Sequence, residues 1–274
     1  MSTWFITGCS TGLGRSLAQA VLQRGDNAVV TAREVARVDD IAARRPDNAL
    51  ALALDVTSPA QVSEAVRRAE ERFGGIDVLV NNAGYGYRAA VEEGDDADVQ
   101  QLFATHVFGA ASMLKAVLPG MRARRSGTVL NVSSIGAHVS PPGSGYYAAA
   151  KAALEAMSRS LRQEVAPLGI SVTIVAPGGF RTDFAGRSLT QSAEPIADYA
   201  ETAGKRRKEN DTVHGTQPGD PAKAAAAMIA IAEAENAPAS IFLGTDAVTA
   251  IDGVLKARAS EVDVWRDLST STDF

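Results

Sequence analysis

The sequence predicts an α/β fold built on a parallel sheet of about seven strands, with helices on both faces. Short apolar runs alternate with helical segments along almost the whole chain, which is the pattern of repeated strand–helix units. Most of these runs are apolar at every position rather than at alternate positions. Strands of that kind are buried on both faces, as they are in a parallel sheet covered by helices.

Each predicted element follows from a local pattern. The seven apolar runs predicted as strands are residues 4–6, 27–31, 49–54, 76–80, 128–132, 170–175 and 241–243. Leu13, Leu17 and Val21 recur at helical spacing after the first strand. Ser58 is the predicted cap, and Pro59 the first turn, of a helix that runs to residue 73. Further helices are expected at residues 95 to about 118, 146–165 and 221 to about 235.

Composition and charge narrow the class of protein. The chain has 274 residues, of which 46% are hydrophobic and 22% charged, so we expect residues 1–274 to form one large domain. A net charge of −5 argues against a nucleic-acid partner. One cysteine and three widely separated histidines offer no metal site. No signal peptide or long apolar run is visible, so we expect a cytoplasmic protein without a membrane partner.

One long segment breaks the alternation of strands and helices. Residues 183–218 are polar, include the basic run Lys205–Lys208, and have no clear apolar period. Loops of this length inside a compact domain often cover an active site. We therefore expect residues 183–218 to form a lid on the substrate side.

The turn between the first strand and the first helix is rich in glycine. Gly8, Gly12 and Gly14 allow a close approach to a phosphate, and the helix N-terminus adds free N–H groups. The spacing is G-x-x-x-G-x-G, which differs from the common G-x-G-x-x-G/A. The same residues contain G-x-S-x-G, so a hydrolase with Ser10 as its nucleophile is an alternative. Few residues precede Ser10, however, and an earlier strand would have to supply the oxyanion donor.

Four further motifs lie at or after later predicted strands. They are Asn81–Gly84 (NNAG), Asn131–Ser134 (NVSS), Tyr147–Lys151 (YAAAK) and Pro177–Thr182 (PGGFRT). Ligands of open parallel sheets bind beyond the carboxyl ends of the strands, so these motifs converge on one crevice. Together with the glycine loop they resemble the short-chain dehydrogenase/reductase family in its single-domain form, and especially its hydroxysteroid and retinol dehydrogenase-like branch. The resemblance implies a doubly wound, Rossmann-like sheet of seven strands.

The resemblance implies that Ser134, Tyr147 and Lys151 are catalytic. Tyr147 and Lys151 are four residues apart and share one face of a helix. We expect the lysine ammonium to lower the pKa of Tyr147, which is about 10 for a free tyrosine. Tyr147 would then exchange a proton with the substrate oxygen, and Ser134 would hydrogen-bond the same oxygen.

The resemblance also implies a nicotinamide dinucleotide as cofactor. In the family pattern Asp55 contacts the adenine, Asn82 lines the adenosine side, and Thr182 bonds the nicotinamide carboxamide. The full set of residues implied to line the cofactor is Gly8, Ser10, Thr11, Gly12, Leu13, Gly14, Arg33, Asp55, Val56, Asn82, Ala83, Gly84, Tyr147, Lys151, Pro177, Gly178 and Thr182.

The end of the second strand bears on the choice between NADP(H) and NAD(H). The acid of NAD-dependent members aligns with Ala32, and the next residue is Arg33, where NADP-dependent members often place a basic side chain. A guanidinium there can bind the 2′-phosphate through two hydrogen bonds. Glu34 is an NAD-type acid if the strand register shifts by two residues. We expect NADP(H) to be preferred and NAD(H) to be possible.

His106 departs from the family pattern, because an asparagine is usual at its position. In the family the main-chain carbonyl of that residue holds a water that links the catalytic lysine to solvent. We expect the helix kink and this relay to persist. One alternative is that the imidazole itself joins the relay and titrates near 6.5; another is a packed histidine without catalytic effect.

These observations predict an oxidoreductase that transfers hydride between NADP(H) and a hydrophobic secondary alcohol, ketone or aldehyde, with Tyr147 as general acid and base. The expected partners are a small carbonyl or alcohol substrate and further copies of the chain, in a homodimer or homotetramer. A non-catalytic, NADPH-binding regulator on the same fold is the other alternative.

Overall fold

Seven strands of the protein pair into one sheet, and all of the pairings are parallel. A computed structural model describes residues 1–186, 188–213 and 215–274. In chain order the strands are β1 (Thr3–Ile6), β2 (Asn27–Ala32), β3 (Ala49–Ala53), β4 (Val78–Asn81), β5 (Gly86–Arg88), β6 (Gly127–Val132), β7 (Ile170–Pro177), β8 (Leu189–Gln191) and β9 (Ser240–Leu243).

Helices connect these strands. They are α1 (Gly12–Gln23), α2 (Asp39–Ala43), α3 (Pro59–Phe73), α4 (Asp96–Phe103), α5 (Ala110–Arg124), α6 (Gly136–Val139), α7 (Gly145–Val165), α8 (Ala203–Val213), α9 (Pro221–Ala232) and α10 (Thr245–Thr270). Ser58 caps α3 as predicted: its side chain accepts a hydrogen bond from the Gln61 amide at 3.5 Å, and Pro59 follows in the first turn.

The order of the strands places one crevice at the centre of the sheet. The order is β3-β2-β1-β4-β6-β7-β9. From β1 the chain builds β2 and β3 on one side, then crosses back to place β4 on the other side of β1. The carboxyl ends of β1 and β4 therefore border the switch point, where ligands of such sheets bind. This is the doubly wound, Rossmann-like α/β fold that the sequence predicts.

Apolar side chains fill a layer on each face of the sheet. Trp4 and Ile6 of β1 are buried against α1 and α9, whereas Phe5 between them is buried against the layer formed by α3, α5 and α7. Successive side chains of a strand point to opposite faces. Each apolar run of the sequence therefore contributes side chains to the cores on both faces of the sheet.

The structure differs from the prediction in two segments. Residues 183–218, expected as a loop without regular structure, contain β8 and α8, and β8 pairs in parallel with β5 in a separate two-stranded sheet. The polar tail after Ala259 continues the helix α10. β8 is not predicted from its own sequence because it depends on its distant partner β5, and the tail is polar because much of α10 faces solvent.

One helical stretch among the described residues, Asp96–Arg124, is long and apolar enough to cross a membrane by length and composition. It comprises α4, a π-helical turn at Ala104–Gly109, and α5. A core helix of a globular protein passes the same test. Met113, Val117 and Met121 of this stretch are buried in the sheet-facing core beside α3, so the stretch is a weak indication of a membrane span.

Candidate active site

The glycine loop after β1 packs closely against the end of β4. Gly8 and Gly12 have φ values of 73° and 62°, a backbone region that favours glycine. A Cβ atom at Gly14 would overlap the Asn82 amide and the Gly8 carbonyl oxygen. No larger residue fits at position 14 without a shift in the loop.

Thr7 and Asn82 hold this loop by hydrogen bonds. The Asn82 side-chain amide donates to the main-chain oxygens of Thr7 and Gly8, at 2.9 and 3.0 Å. The Thr7 hydroxyl accepts from the main-chain amides of Asn82 and Ala83, at 2.9 and 3.0 Å. Asn82 therefore supports the glycine loop directly, whatever further contact it makes with a cofactor.

The N-terminus of α1 is free to bind an anion. Its N-cap residue, Thr11, makes no side-chain capping hydrogen bond, and its first turn carries no acidic residue. The first N–H groups of a helix need partners from outside the helix, and the positive end of the helix dipole favours negative charge. The loop from Ser10 to Gly14 therefore fits the pyrophosphate of a dinucleotide.

The turn after β7 meets the glycine loop. A Cβ atom at Gly12 would lie 3.4 Å from the Thr182 Cβ, so these two predicted cofactor residues are neighbours. Pro177 ends β7 and accepts a 3.0 Å hydrogen bond from the Ile135 amide. A Cβ atom at Gly178 would overlap the Asp246 carboxylate, which accepts a 2.7 Å hydrogen bond from the Gly179 amide.

Ser134, Tyr147 and Lys151 form one cluster beyond the end of β6. The side chains of Tyr147 and Ser134 are hydrogen-bonded, and the Ser134 Oγ accepts from the Gly136 amide at 3.0 Å. The Lys151 Nζ donates to the main-chain oxygen of Val132 at 2.8 Å and lies 5.8 Å from the centroid of the Tyr147 ring. Tyr147 is 7% exposed and Lys151 is 4% exposed. The sequence prediction that these residues converge is consistent with this geometry.

Burial dominates the protonation of this cluster. It raises the pKa of Tyr147, while the hydrogen bond from Ser134 and the charge of Arg88 act in the opposite direction. Burial also lowers the pKa of Lys151 to about 7, with Glu155 opposing this change. The expected lowering of the Tyr147 pKa by Lys151 is therefore wrong for this structure: Ser134 and Arg88 favour the phenolate, and burial outweighs them.

His106 lies beside this cluster in the π-helical turn Ala104–Gly109. Its ring is 2% exposed, meets the Tyr147 ring edge-on at 5.7 Å, and bonds through Nε2 to the Tyr85 carbonyl oxygen at 2.8 Å. Burial and the charge of Lys151 hold the pKa of His106 well below its usual value, against the effect of the Tyr85 hydrogen bond. Titration of His106 near 6.5 is therefore wrong. The π turn is the kind of helix irregularity expected at this position.

A small cavity separates His106 from Lys151. It has about 10 Å³ of room, enough for about one water molecule. Its lining includes four predicted site residues and six others: Thr7, Val56, Asn81, Ala83, Thr105, His106, Ala110, Val132, Lys151 and Leu154. Gly84 closes the same region, since a Cβ atom there would overlap the His106 ring. The cavity suits a proton relay beside the lysine.

The residues predicted for the adenosine end lie at the ends of β2 and β3. Arg33 follows β2 directly, is exposed, and makes no hydrogen bond or ion pair with any described residue. Glu34 forms an exposed ion pair with Arg37 at 3.1 Å. The Asp55 carboxylate accepts hydrogen bonds from the amide and hydroxyl of Thr57, at 2.9 and 2.7 Å, so Asp55 also shapes its own turn.

The geometry does not support Ser10 as a hydrolase nucleophile. Of the described histidines, His106 is bonded to Tyr85 and His138 to Glu155, at 3.1 Å from the nearer carboxylate oxygen. Neither of these two histidines forms a hydrogen bond with Ser10, so Ser10 has no base beside it among the described residues. His214, the third histidine, lies outside the described residues.

Two buried charged residues near the catalytic cluster were not predicted from the sequence. Glu155, one helical turn beyond Lys151, is 2% exposed and accepts a 2.7 Å hydrogen bond from the Ser133 hydroxyl. Arg88, in β5, is 8% exposed and donates to the Ser144 hydroxyl at 2.8 Å. The i, i+4 spacing from Lys151 was an available signal for Glu155. The short strand β5 has no comparable signal for Arg88.

Comparisons with known proteins identify the family of this chain. A family model described as short chain dehydrogenase matches residues 2–193. Oxidoreductase BOA17 of Botryotinia fuckeliana is 36% identical over 270 residues, which is 98% of each chain. The crystal structure of a short-chain dehydrogenase from Streptomyces avermitilis superposes with a TM-score of 0.93 at 42% identity and 100% coverage of both chains.

A second solved structure contains a nicotinamide cofactor analogue. It is an alcohol dehydrogenase from the archaeon Thermococcus sibiricus, complexed with 5-hydroxy-NADP. The TM-score is 0.74 at 26% identity, over 89% of this chain and 96% of that one. The match of the family model over most of the chain, with these relatives, confirms the resemblance seen in the sequence motifs. The chain belongs to the short-chain dehydrogenase family and is an oxidoreductase with the fold of nicotinamide-dependent enzymes.

Proposed function

We propose that the protein is an NADP(H)-dependent alcohol dehydrogenase or carbonyl reductase that acts on a hydrophobic secondary alcohol, ketone or aldehyde. The observation that carries this proposal is the cluster formed by the half-buried Ser134 and the buried Tyr147 and Lys151, beside the glycine loop. A phenol, a hydroxyl and an amine of this kind suit proton exchange with a substrate oxygen.

The site residues fit a dinucleotide. The uncapped N-terminus of α1 would hold the pyrophosphate, and Thr182 beside Gly12 would hold the nicotinamide end. Lys151 would reach the nicotinamide ribose, and Asp55, Val56 and the residues Asn82–Gly84 would line the adenosine side. The nicotinamide, when bound, supplies hydride in reduction and accepts it in oxidation.

Each catalytic side chain has a distinct role in this proposal. In reduction Tyr147 donates its phenolic proton to the substrate oxygen, and in oxidation it takes that proton back from the alcohol. Ser134 hydrogen-bonds the same oxygen while negative charge develops on it. Lys151, with a pKa near 7, can pass a proton between Tyr147 and a water in the small cavity. His106 lines that cavity and stays neutral.

Two exposed features support the choice of NADP(H) and of an apolar substrate. Arg33 has no counter-charge among the described residues, whereas Glu34 is already paired with Arg37. On the substrate side Phe184 packs at 5.8 Å from the Tyr147 ring, and Leu189 packs near Gly86. We therefore propose that residues 183–218 form the lid of the single catalytic domain and present an apolar surface to the substrate.

We also propose a cellular location and an oligomeric state for the enzyme. A cytoplasmic location suits a chain with one cysteine, since secreted proteins often rely on disulfides. A homodimer or homotetramer is the assembly that the family resemblance implies. Light scattering of the purified protein at several concentrations measures that assembly.

A panel of neutral ketones, aldehydes and secondary alcohols, assayed with NADPH and NADP, tests the function. We expect turnover that falls sharply in Tyr147→Phe. Binding of NADPH without turnover of any panel member would favour the non-catalytic regulator instead. A calorimetric titration with NADPH and NADH separates that outcome from a protein that binds neither.

A further inference from the structure

Arg88 is a buried guanidinium without a carboxylate partner among the described residues. It is the last residue of β5 and is 8% exposed. Its Nη1 donates to the Ser144 hydroxyl at 2.8 Å, and its buried Nε has no partner. The edge of the guanidinium that carries Nε and Nη2 thus makes no hydrogen bond to any described residue.

An unpaired buried cation is costly, so a counter-charge is expected in the working enzyme. Burial lowers the pKa of Arg88 to about 10, and the charge of Arg206 on the lid acts in the same direction, while Tyr147 and the charge of Glu209 on the lid oppose this change without reversing it. By contrast Glu93, also in this region, is paired with Arg207 at 2.7 Å. Arg206 is likewise paired with Glu209, so Arg88 is the arginine of these three that lacks a carboxylate at ion-pair distance among the described residues.

The position of Arg88 connects it with the substrate side of the site. Ser144, its hydrogen-bond partner, lies three residues before Tyr147, and the charge of Arg88 acts on the Tyr147 phenol. β5 also pairs with the lid strand β8. Arg88 therefore lies between the lid and the helix that carries the catalytic tyrosine.

We propose that Arg88 binds a carboxylate of the substrate, so that the enzyme acts on apolar oxo acids and the corresponding hydroxy acids. This inference rests on the proposed function and names its substrate class. The Nε and Nη2 donors of arginine match the two oxygens of a carboxylate in a planar, two-bond contact. The lid elements β8 and α8 cover β5, so the substrate reaches Arg88 when the lid opens.

A matched pair of substrates tests this proposal: benzoylpropionate and its methyl ester, with shorter and longer homologues of each. We expect wild-type kcat/KM to favour the acid over the ester. Arg88→Gln should lower kcat/KM for the acid by about 10- to 100-fold, the effect of one charge-assisted pair, and change the value for the ester by less than about threefold. Arg181→Gln, which removes a charge from an exposed arginine beside Thr182, should alter neither.

Two results would overturn the assignment. One is a wild-type enzyme that reduces the ester at least as well as the acid across the homologues. The other is an equal loss for acid and ester in Arg88→Gln, which would make Arg88 a positioning residue for Tyr147. In both cases, turnover of neutral ketones by the wild type would show that the proposed function stands even though the role of Arg88 does not. If no ketone is turned over, calorimetric binding of acid against ester to the NADP complex still decides the role of Arg88.

A second inference concerns the exposed half of α10. Ala247 and Ile251 are buried against the rest of the protein, but every residue from 255 to 274 is exposed. The face that begins with the buried residues continues as an apolar stripe, which we define as Leu255, Val262, Trp265 and Leu268. These side chains are 57–63% exposed. An isolated amphipathic helix of this length is only marginally stable in water, and exposed apolar patches often mark interaction sites, so we expect the stripe to pack against a partner.

Charge identifies a second copy of the chain as the partner. Arg258 and Glu261 lie on the same face of the helix, between Leu255 and Trp265, and form no ion pair among the described residues. In an antiparallel pair of these helices, with a two-fold axis near residue 260, Arg258 lies next to the partner's Glu261 and Trp265 next to the partner's Leu255. Helices that bind anionic membrane surfaces are rich in lysine and arginine, whereas acidic residues outnumber basic ones in this half. We infer that α10 joins two copies of the enzyme.

Sedimentation at several concentrations tests this interface. Trp265→Glu should dissociate the assembly that α10 forms, whereas Val264→Glu, on the flank of the stripe, should leave it intact. Arg258→Glu and Glu261→Arg should each weaken association, and the double variant should restore it. An assembly that is unchanged in Trp265→Glu would overturn the inference, and so would a monomeric wild type that sediments with lipid vesicles.

Discussion

The Nζ atom of Lys151 donates a 2.8 Å hydrogen bond to the main-chain oxygen of Val132. Val132 ends β6, two residues before Ser134, so this bond ties the helix that carries Tyr147 to the strand that leads to Ser134. The position is unfavourable for the ammonium, because Lys151 is 4% exposed and burial lowers its pKa to about 7. We therefore expect the buried Lys151 to lower the free energy of unfolding while it serves the function of the site.

Lys151 makes stability depend on pH with a definite sign. An unfolded lysine keeps its ordinary pKa of about 10.4, whereas folded Lys151 loses its proton near 7. Between these values the unfolded chain binds more protons, so this group makes the folded protein more stable as pH rises. The melting temperature of Lys151→Met, relative to wild type, should fall as pH rises from about 7 to 10. Lys223→Met, at an exposed lysine, should show no such trend; a constant difference for Lys151→Met would contradict the prediction.

Tyr147 should act as an acid over the whole neutral range. Burial raises its pKa, although Ser134 and Arg88 oppose the change. Ketone reduction should therefore keep its rate up to about pH 9, while alcohol oxidation should rise with pH. Tyr147→Phe should lower kcat/KM by about 100- to 10,000-fold and change the Kd for NADPH far less.

Tyr146→Phe is the control for that experiment, because Tyr146 is the preceding residue and donates to the Val91 carbonyl oxygen instead. It should retain activity. A near-normal rate in Tyr147→Phe would remove Tyr147 from its catalytic role.

The sequence predicted the seven-stranded sheet because its signal is local. Strands buried on both faces are continuous apolar runs, and the predicted bounds differ from the observed ones by one or two residues. The fourth strand begins at Val78 rather than Ile76, since Asp77 uses its carboxylate to bond the Thr3 amide at 2.8 Å. β5 and β8 escaped prediction because each has three residues and exists through pairing with the other.

The catalytic cluster was also predictable, since its residues occur in motifs with fixed spacing at strand ends. The protonation of the cluster was not. Whether Lys151 lowers the pKa of Tyr147 depends on how deeply both are buried, and burial appears only once α7 is packed on the sheet. Arg88 was missed for the same reason: an arginine in a short polar segment carries no sign that its guanidinium is enclosed.

Arg33 should set the preference between NADP(H) and NAD(H). Replacing it, as Arg33→Ala with Ala32→Asp, removes the charge-assisted contact with the 2′-phosphate and adds a partner for a free ribose hydroxyl. The Kd for NADPH should rise by about 10- to 100-fold, equivalent to about 1.5–3 kcal/mol, while that for NADH should fall. Glu34→Gln is the control and should leave both Kd values unchanged, because Glu34 is paired with Arg37. Equal affinity of the wild type for NADPH and NADH would contradict this role of Arg33.

His106 should affect the relay through its main chain rather than its ring. The imidazole is buried and stays neutral, since burial and Lys151 hold its pKa well below 6.5. His106→Asn should retain activity within about tenfold and show the same pH–rate profile as wild type between about pH 6 and 7. A loss beyond about 100-fold, or an inflection in that range that only the wild type shows, would assign the role to the imidazole.

Glu93 should hold the lid closed. Its carboxylate accepts hydrogen bonds from the Ala90 amide at 2.7 Å, from the Ile196 amide at 2.8 Å and from Arg207 at 2.7 Å. Although burial opposes the change, these bonds lower the pKa of Glu93. The anchoring is therefore complete above the ordinary glutamate pKa of about 4.3 and is lost as pH falls through the lower folded value.

Glu93→Gln leaves the partly buried Arg207 without its counter-charge, a change that costs up to about 3–5 kcal/mol when the pair is fully buried. The lid should open more often, so protease cleavage between residues 188 and 213 should accelerate at least about tenfold at neutral pH, with the Kd for NADPH unchanged. Glu92→Gln is the matched control, because Glu92 accepts one hydrogen bond at the surface, from the Tyr199 hydroxyl at 2.6 Å. Equal cleavage of wild type and Glu93→Gln would show that other contacts hold the lid. The apolar packing of Phe184 on Tyr147 would then be tested by Phe184→Ala.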